Sequence, residues 1–374
     1  MVSTFWCSWR PTCSDKGAMA HQKVLVVGGG IVGLTTARAL QSKGASVVVK
    51  SMKPAAQVTS GGSGGFWMPF RAAGGDLVRW AEESLAVYRA DESGLVEKMP
   101  AFSLFAAESP PREKPKWGEG RANLRVVEGR AALEREFENL AGLALPPGYA
   151  SAFAFETVVV DSPKYCARLE EAILQDGGHV DTEEITDLVE AARACGADAV
   201  VNCAGIRGAE LAKDDRHSDV VPGRGVLLRY ARPLSEEDNQ KRLRAVVTTE
   251  DAPLASFTEP AYLIPRGDVV AVGGSYGEGD PSDTPTPAEL ARLRRNAAAY
   301  SPQDLAHAEP LSSWVGHRPV RTAGIRVEIQ TAGDVTVAHN YGHGGSGFTI
   351  AWGCAHDIAD AILGFRLKPT TATK

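Results

Sequence analysis

The hydrophobic pattern begins with an apolar run from Lys23 to Val27 (KVLVV) that breaks at Gly28-Gly29-Gly30. From Ile31 to Lys43 the apolar residues recur at helical spacing, Gly44 supplies a C-cap, and Ala45 to Val49 forms a second run. This order predicts a strand, a helix and a second strand in one parallel unit. Between Asp76 and Arg89, Leu77, Trp80, Ala81, Leu85 and Tyr88 share one helical face, and the Pro-rich stretch Ser109 to Trp117 reads as an exposed loop. A helical pattern resumes at Tyr165 to Gln175. Ala197 to Val201 is a short continuous apolar run, as a buried parallel strand would be. From Val226 to about Tyr276 the runs 225–230, 245–247, 262–264 and 269–272 are separated by turn residues and predict an antiparallel β-rich region. Helix returns over Thr286 to Tyr300. A last strand at Val335 to Ala338 then leads into a glycine-dense turn, Gly342 to Gly347, and a helix starting near Thr349.

The expected architecture is α/β, with a discontinuous Rossmann-like domain (21–75, 155–225 and 320–366) and a second β-rich domain (76–154 and 226–319). Residues 1–20 lack a sustained apolar core and read as an extension outside the fold. The remaining composition narrows the function classes. A chain of 374 residues with a net charge of −6 and no clustered basic stripe does not suit nucleic acid, and no apolar run is long enough to span a membrane. Cys7, Cys13, Cys166, Cys195, Cys203 and Cys354 show no CxxC spacing, so neither a metal site nor a disulfide framework is expected, and a reducing compartment is the default.

Gly28, Gly30 and Gly33 form G-x-G-x-x-G between a strand and a helix, which is the context in which a dinucleotide pyrophosphate meets a helix N-terminus. The motif alone does not choose FAD over NAD. The acidic residue that usually ends the second strand and holds the ribose is missing, because Val49 is followed by Lys50-Ser51-Met52. The turn at Gly342 to Gly347 is a second strand-to-helix glycine turn. Its N–H groups and helix N-terminus suit the negative charge that builds at the pyrimidine end of a reduced flavin, a charge that reduced nicotinamide lacks. The alternative is a loop that only lets the last helix pack closely. His317, His339 and His343 have neither ligand spacing nor partnered carboxylates, and Ser346 is no nucleophile elbow.

Over Lys23 to Phe365 the ordered set of motifs resembles the D-amino acid oxidase and D-aspartate oxidase family of FAD-dependent oxidases. The set comprises Val24 to Leu34, Gly65-Phe66-Trp67-Met68-Pro69-Phe70, Asp161 to Tyr165, Val201 to Gly205, Pro222-Gly223-Arg224-Gly225, Ala261 to Arg266, Gly316-His317-Arg318-Pro319-Val320-Arg321 and the last glycine turn. The resemblance implies FAD as cofactor, held by Gly28, Gly30, Ile31, Val32, Gly33, Thr59, Ser60, Gly205, Gly344, Gly345, Gly347 and Thr349. It makes Arg318 the clamp for a substrate carboxylate, Tyr262 its accompanying hydroxyl, and Phe66, Met68 and Gly345 the pocket lining. No acid or base residue is then required. A hydride would pass from Cα of a D-amino acid to flavin N5, oxygen would reoxidise the flavin to give hydrogen peroxide, and the imino acid would hydrolyse to the 2-oxo acid and ammonia.

The chain departs from the family at three places: Phe257 stands nearest the second active-site tyrosine, Ser346 replaces a residue often aromatic, and Met68 and Phe70 replace more polar ones. Readings kept beside the oxidase are a D-aspartate oxidase, an NAD-linked dehydrogenase and a flavin binder without turnover. The D-aspartate reading would need an extra cation, with Arg244, His317 and Arg266 as candidates. A homodimer is compatible with the resemblance, as is a peroxisomal or cytoplasmic location, although the C-terminal Thr-Ala-Thr-Lys is not an SKL-type signal.

Overall fold

In the computed structural model, which describes residues 22–109, 112–120, 122–213, 220–235 and 240–364, the apolar run Lys23–Val27 is β1 and the helix that follows, α1, spans Ile31–Ser42. The expected extension at 1–20 and the C-terminal tetrapeptide lie outside the described residues. Next come β2 (Ser46–Ser51), α2 (Thr59–Gly62), α3 (Leu77–Arg89), β3 (Val96–Ala106), β4 (Arg125–Glu128), α4 (Arg130–Glu138) and β5 (Tyr149–Val160). The middle of the chain supplies α5 (Ser162–Gln175), β6 (His179–Thr182), α6 (Leu188–Ala194), β7 (Ala199–Asn202), α7 (Gly208–Ala212) and β8 (Val220–Ala231). The last third supplies β9 (Val246–Thr249), β10 (Ala261–Arg266), β11 (Val269–Gly273), β12 (Gly277–Glu278), α8 (Pro287–Tyr300), β13 (Ser312–Arg321), β14 (Arg326–Ala332), β15 (Val335–Tyr341) and α9 (Gly347–Ile362).

These strands build two sheets. The first runs β14-β15-β7-β1-β2-β6, with β15, β7, β1, β2 and β6 parallel and β14 antiparallel at one edge. Val24, Leu25, Val26, Val200 and Val201 are fully buried, as a parallel strand covered on both faces requires. The turns after β1, β7 and β15 all leave the carboxyl ends of three adjacent strands, where open parallel sheets place their ligands. α1 and α9 pack on this sheet, and the Thr35 hydroxyl bonds the Ala351 carbonyl between them at 3.3 Å.

The second sheet follows the order β12-β8-β11-β10-β9-β3-β5-β4, with β13 on β8. It is β-rich as expected, but not wholly antiparallel, because β3 and β9 pair in parallel. The expected boundaries at 155, 226 and 320 fall inside β5, β8 and β13, since continuous strands carry the chain past the points where its composition shifts. The Pro-rich loop is corrected at its end: Trp117 is not exposed but wedged edge-on between Trp67 and Phe155, at 5.7 and 5.2 Å, because an indole this size gains from burial. No helix among the described residues is long and apolar enough to cross a membrane.

Candidate active site

Gly28 has φ +119, and an added Cβ would lie 2.7 Å from the Cys203 carbonyl carbon, so the first turn closes against β7 only with glycine there. Gly30 is the N-cap of α1 and offers no side-chain cap, and the first turn of α1 carries no acidic residue. Ile31 and Val32 begin the helix, and the Ile31 N–H donates to Ser60 Oγ at 3.0 Å. Gly33 packs on the Gly28 backbone, and Gly205 (φ +58) turns away from the end of β7 into open space. β2 ends without an acid: Lys50 pairs with Glu183 at 2.7 Å, and Met52 is exposed beside Arg207.

The second turn comes to the first. Gly347 opens α9 within van der Waals reach of the Ile31 side chain, so two helix N-termini converge on one cleft. α9 likewise has no side-chain cap bond and no acid in its first turn, which leaves its positive end for another group. The helix starts at Gly347 rather than Thr349, because the Ile350 N–H already closes on the Ser346 carbonyl. Gly344 N–H donates to the Pro319 carbonyl, and Gly345 packs on Phe70. The buried His343 side chain leaves Nε2 without a partner, and desolvation pushes its pKa down to about 4. It is neutral at pH 7 and holds no metal-type cluster, since the described residues contain none. A cofactor with a pyrophosphate at one end and a developing negative charge at the other fits this cleft: both helix ends are uncapped by acid, and the glycine turns admit close approach.

Side chains of α9 then fasten the segment 66–71. Thr349 Oγ1 donates to the Met68 carbonyl at 2.9 Å and accepts the Met68 N–H at 3.3 Å. Ser346 does the same for Phe70, accepting its N–H at 2.7 Å and donating to its carbonyl at 3.0 Å. The serine that departs from the family is therefore fully buried and structural at this point. Phe66 bridges Val159, and both Phe66 and Met68 rest partly on the core while keeping some exposure.

Arg318 reaches the same place from β13, its guanidinium 6.0 Å from the centre of the Phe70 ring. Nη1 donates to the carbonyls of Gly223 and Ser275 at 3.2 and 3.1 Å. The side chain fits because residue 225 on the paired strand has no Cβ; one there would stand 2.6 Å from Nη2. The Arg318 charge acts on the Tyr262 hydroxyl, whose ring lies on Gly273 and Gly274. Burial lowers the Arg318 pKa and raises that of Tyr262, so the pair is a desolvated cation beside a neutral phenol. Thr59 ties this strand to α2 by donating to the His317 carbonyl at 3.2 Å.

Sequence reasoning missed Arg71. With φ +48 its guanidinium sits between the rings of Phe257 and Tyr276, 3.8 and 4.1 Å from their centres, and pairs with Glu250. Nε and Nη1 are buried without partners, and its charge acts on Arg318. Its position directly after the pocket motif Phe66 to Phe70 was the available signal. Of the cations considered instead, Arg244 is exposed, His317 faces Asp283 at 3.8 Å, and Arg266 is committed to the Ser63 carbonyl and Ser162 Oγ.

A parallel nucleotide sheet joined to a larger mixed sheet, with two helix N-termini and a buried arginine–tyrosine pair between them, defines a flavin-dependent oxidoreductase. The chain belongs to the FAD dependent oxidoreductase family, whose model matches residues 23–361. It is 34% identical to a D-amino-acid oxidase of Rubrobacter xylanophilus, covering 95% of this chain and all of that one, and 33% identical to one of Streptomyces coelicolor, covering 90% and 95%. A human D-aspartate oxidase is 28% identical, covering 92% and 95%. Among solved structures, glycine oxidase from Geobacillus kaustophilus superposes with a TM-score of 0.72 at 19% identity, covering 93% and 96%, and supports the fold. FAD is the cofactor, which removes the NAD-linked dehydrogenase from consideration.

Proposed function

We propose that the protein oxidatively deaminates a D-amino acid to the 2-oxo acid and ammonia, with oxygen taking up the two electrons and two protons as hydrogen peroxide. The observation that carries this reading is the buried Arg318–Tyr262 pair facing the segment held by α9, in a chain a third identical to proteins named D-amino-acid oxidases. FAD, when bound, supplies the hydride acceptor. Arg318 would take the α-carboxylate in two charge-assisted hydrogen bonds, strengthened by exclusion of water. Tyr262 would donate to the same carboxylate. Fixing that group leaves Cα–H and the neutral amine with few orientations, which is the positioning such a reaction needs without an acid or base residue. The imine product hydrolyses in water.

The test is anaerobic mixing of the yellow protein with each enantiomer of alanine, valine and aspartate. Bleaching by D-isomers only is expected, and bleaching by none of them, or equally by L-isomers, refutes the reading. Arg318→Ala should keep the flavin spectrum and raise KM about 100-fold, the loss typical of a buried charged partner. Unchanged KM would remove Arg318 from the site.

A second reading is favoured by Arg71. A dicarboxylic D-amino acid could place its side-chain carboxylate on the unpartnered Nε and Nη1 of Arg71 while Arg318 holds the other end. Arg71→Gln should then lower kcat/KM for D-aspartate relative to D-alanine about tenfold or more. An equal effect on both substrates rejects it.

A further inference from the structure

Away from the Arg318 site, the second sheet meets α5 at a cleft of about 450 Å³ lined by Arg229, Arg266, Lys164 and Trp314, with Asp161 and Asp268 in its wall. Arg266 is 3% exposed and spends Nη1 on neutral acceptors, the Ser63 carbonyl and Ser162 Oγ, while Nε has no partner. Arg229 lies over the Trp314 ring at 5.1 Å, and its Nε is also buried and unpartnered. Neither guanidinium has a carboxylate partner among the described residues. The two acids are already taken: Asp161 pairs with Lys164 at 3.2 Å, and Asp268 pairs with Lys164 and Lys241 at 3.1 Å each.

Two guanidinium groups, Arg266 buried and Arg229 partly buried, therefore line one cleft with no ion-pair partner of their own. Asp161, already paired with Lys164, offsets the Arg266 charge only in part, and an anion in the cleft would relieve the remainder. Burial lowers the pKa of both. The charge of Arg229 helps to bring Arg266 down to about 10, so both stay protonated at neutral pH. One carboxylate would neutralise only one of them. A dianionic tetrahedral oxyanion can accept from both forks at once.

We propose that this cleft is a binding site for a phosphate group, free or as the monoester of a small metabolite, held between Arg229 and Arg266. The site is distinct from the proposed substrate clamp but joined to it, because the Arg266 charge acts on Tyr262 of the same strand and Arg266 grips the Ser63 carbonyl at the start of the segment that carries Phe66 and Met68. An anion on Arg266 Nε would fix that guanidinium and so stiffen the segment.

The FAD-loaded protein, freed of excess cofactor, is titrated calorimetrically with inorganic phosphate and, separately, with glycerol 3-phosphate, at constant ionic strength set by chloride. Saturable binding is expected, and the tighter of the two ligands tells free phosphate from monoester. Arg229→Gln, which touches no backbone carbonyl and should leave folding intact, is expected to weaken binding about tenfold or more. Arg318→Gln should leave it unchanged. Absence of saturable binding, equal affinity in Arg229→Gln, or loss in Arg318→Gln with retention in Arg229→Gln would each overturn the proposal. Because no arm reads turnover, failure here is distinguishable from failure of the oxidase reading.

Discussion

Replacing Gly225 by alanine tests the geometry of the arginine clamp without touching the arginine. Gly225 lies in β8 opposite Gly316 of β13, in extended backbone that alanine adopts freely, so no conformational strain is introduced. The added methyl would stand 2.6 Å from Arg318 Nη2 and 2.7 Å from Cζ, whereas carbon-to-heavy-atom contacts settle near 3.5 Å or more. Only the far end of a flexible side chain stands in the way, so the guanidinium retreats by about 1 Å while the sheet holds, at a stability cost of about 1 kcal/mol. Retreat disturbs the bonds to the Gly223 and Ser275 carbonyls and moves the charge relative to Tyr262. A misplacement of about 1 Å in a positioning group costs about 100-fold in rate. The assay is kcat/KM for the best D-amino acid, with flavin absorbance and the melting temperature recorded on the same sample. Flavin content should match the parent. In a double-mutant cycle, Gly225→Ala should add nothing to Arg318→Ala, because both act through one side chain. Unchanged kcat/KM in Gly225→Ala would refute the placement of Arg318, and additive losses would show that the methyl acts elsewhere.

Two further outcomes follow from the turn before α9. Ser346→Ala leaves the Phe70 N–H and carbonyl without their shared partner in a dry site, so thermal denaturation should show a loss of about 1–3 kcal/mol with FAD still bound at low temperature. An unchanged melting temperature would mean that water replaces the hydroxyl. His343 titrates at about 4 in the fold against an ordinary 6.5, so below pH 6.5 the unfolded chain takes up a proton that the folded chain refuses. Stability is thus intact above pH 6.5 and falls as pH drops toward 4, by about 3 kcal/mol at the acid limit. His343→Gln should flatten the melting temperature against pH in that window, and parallel curves for variant and parent would exclude the effect.

How much was legible in the sequence depended on whether a feature was local. The strand, glycine turn and helix from Lys23 to Ser42 could be read directly, because period and turn chemistry are properties of adjacent residues. The same holds for Thr286 to Tyr300, where Thr286 and Glu289 form a reciprocal capping box. β13 was not read as a strand. Its ten residues, Ser312–Arg321, lack clean alternation because the strand pairs along its edge with β8 and, from Trp314 on, both of its faces are partly buried. Arg318 and Tyr262 were found through motif order, but their proximity depends on β13 and β10 flanking the adjacent strands β8 and β11 of the second sheet.

By itself the sequence determined the two glycine turns, the parallel unit between them and the residue types available for a flavin and a carboxylate. These follow from backbone sterics and helix dipoles, which act within a few residues. The tertiary structure alone decided which arginines face each other, which carboxylates neutralise them and which are left without a counter-charge. Arg71 finds Glu250 nearly 180 residues away, while Arg229 and Arg266 line one open cleft with no ion-pair partner among the described residues. Charge and desolvation act through space, and no spacing along the chain encodes that distance.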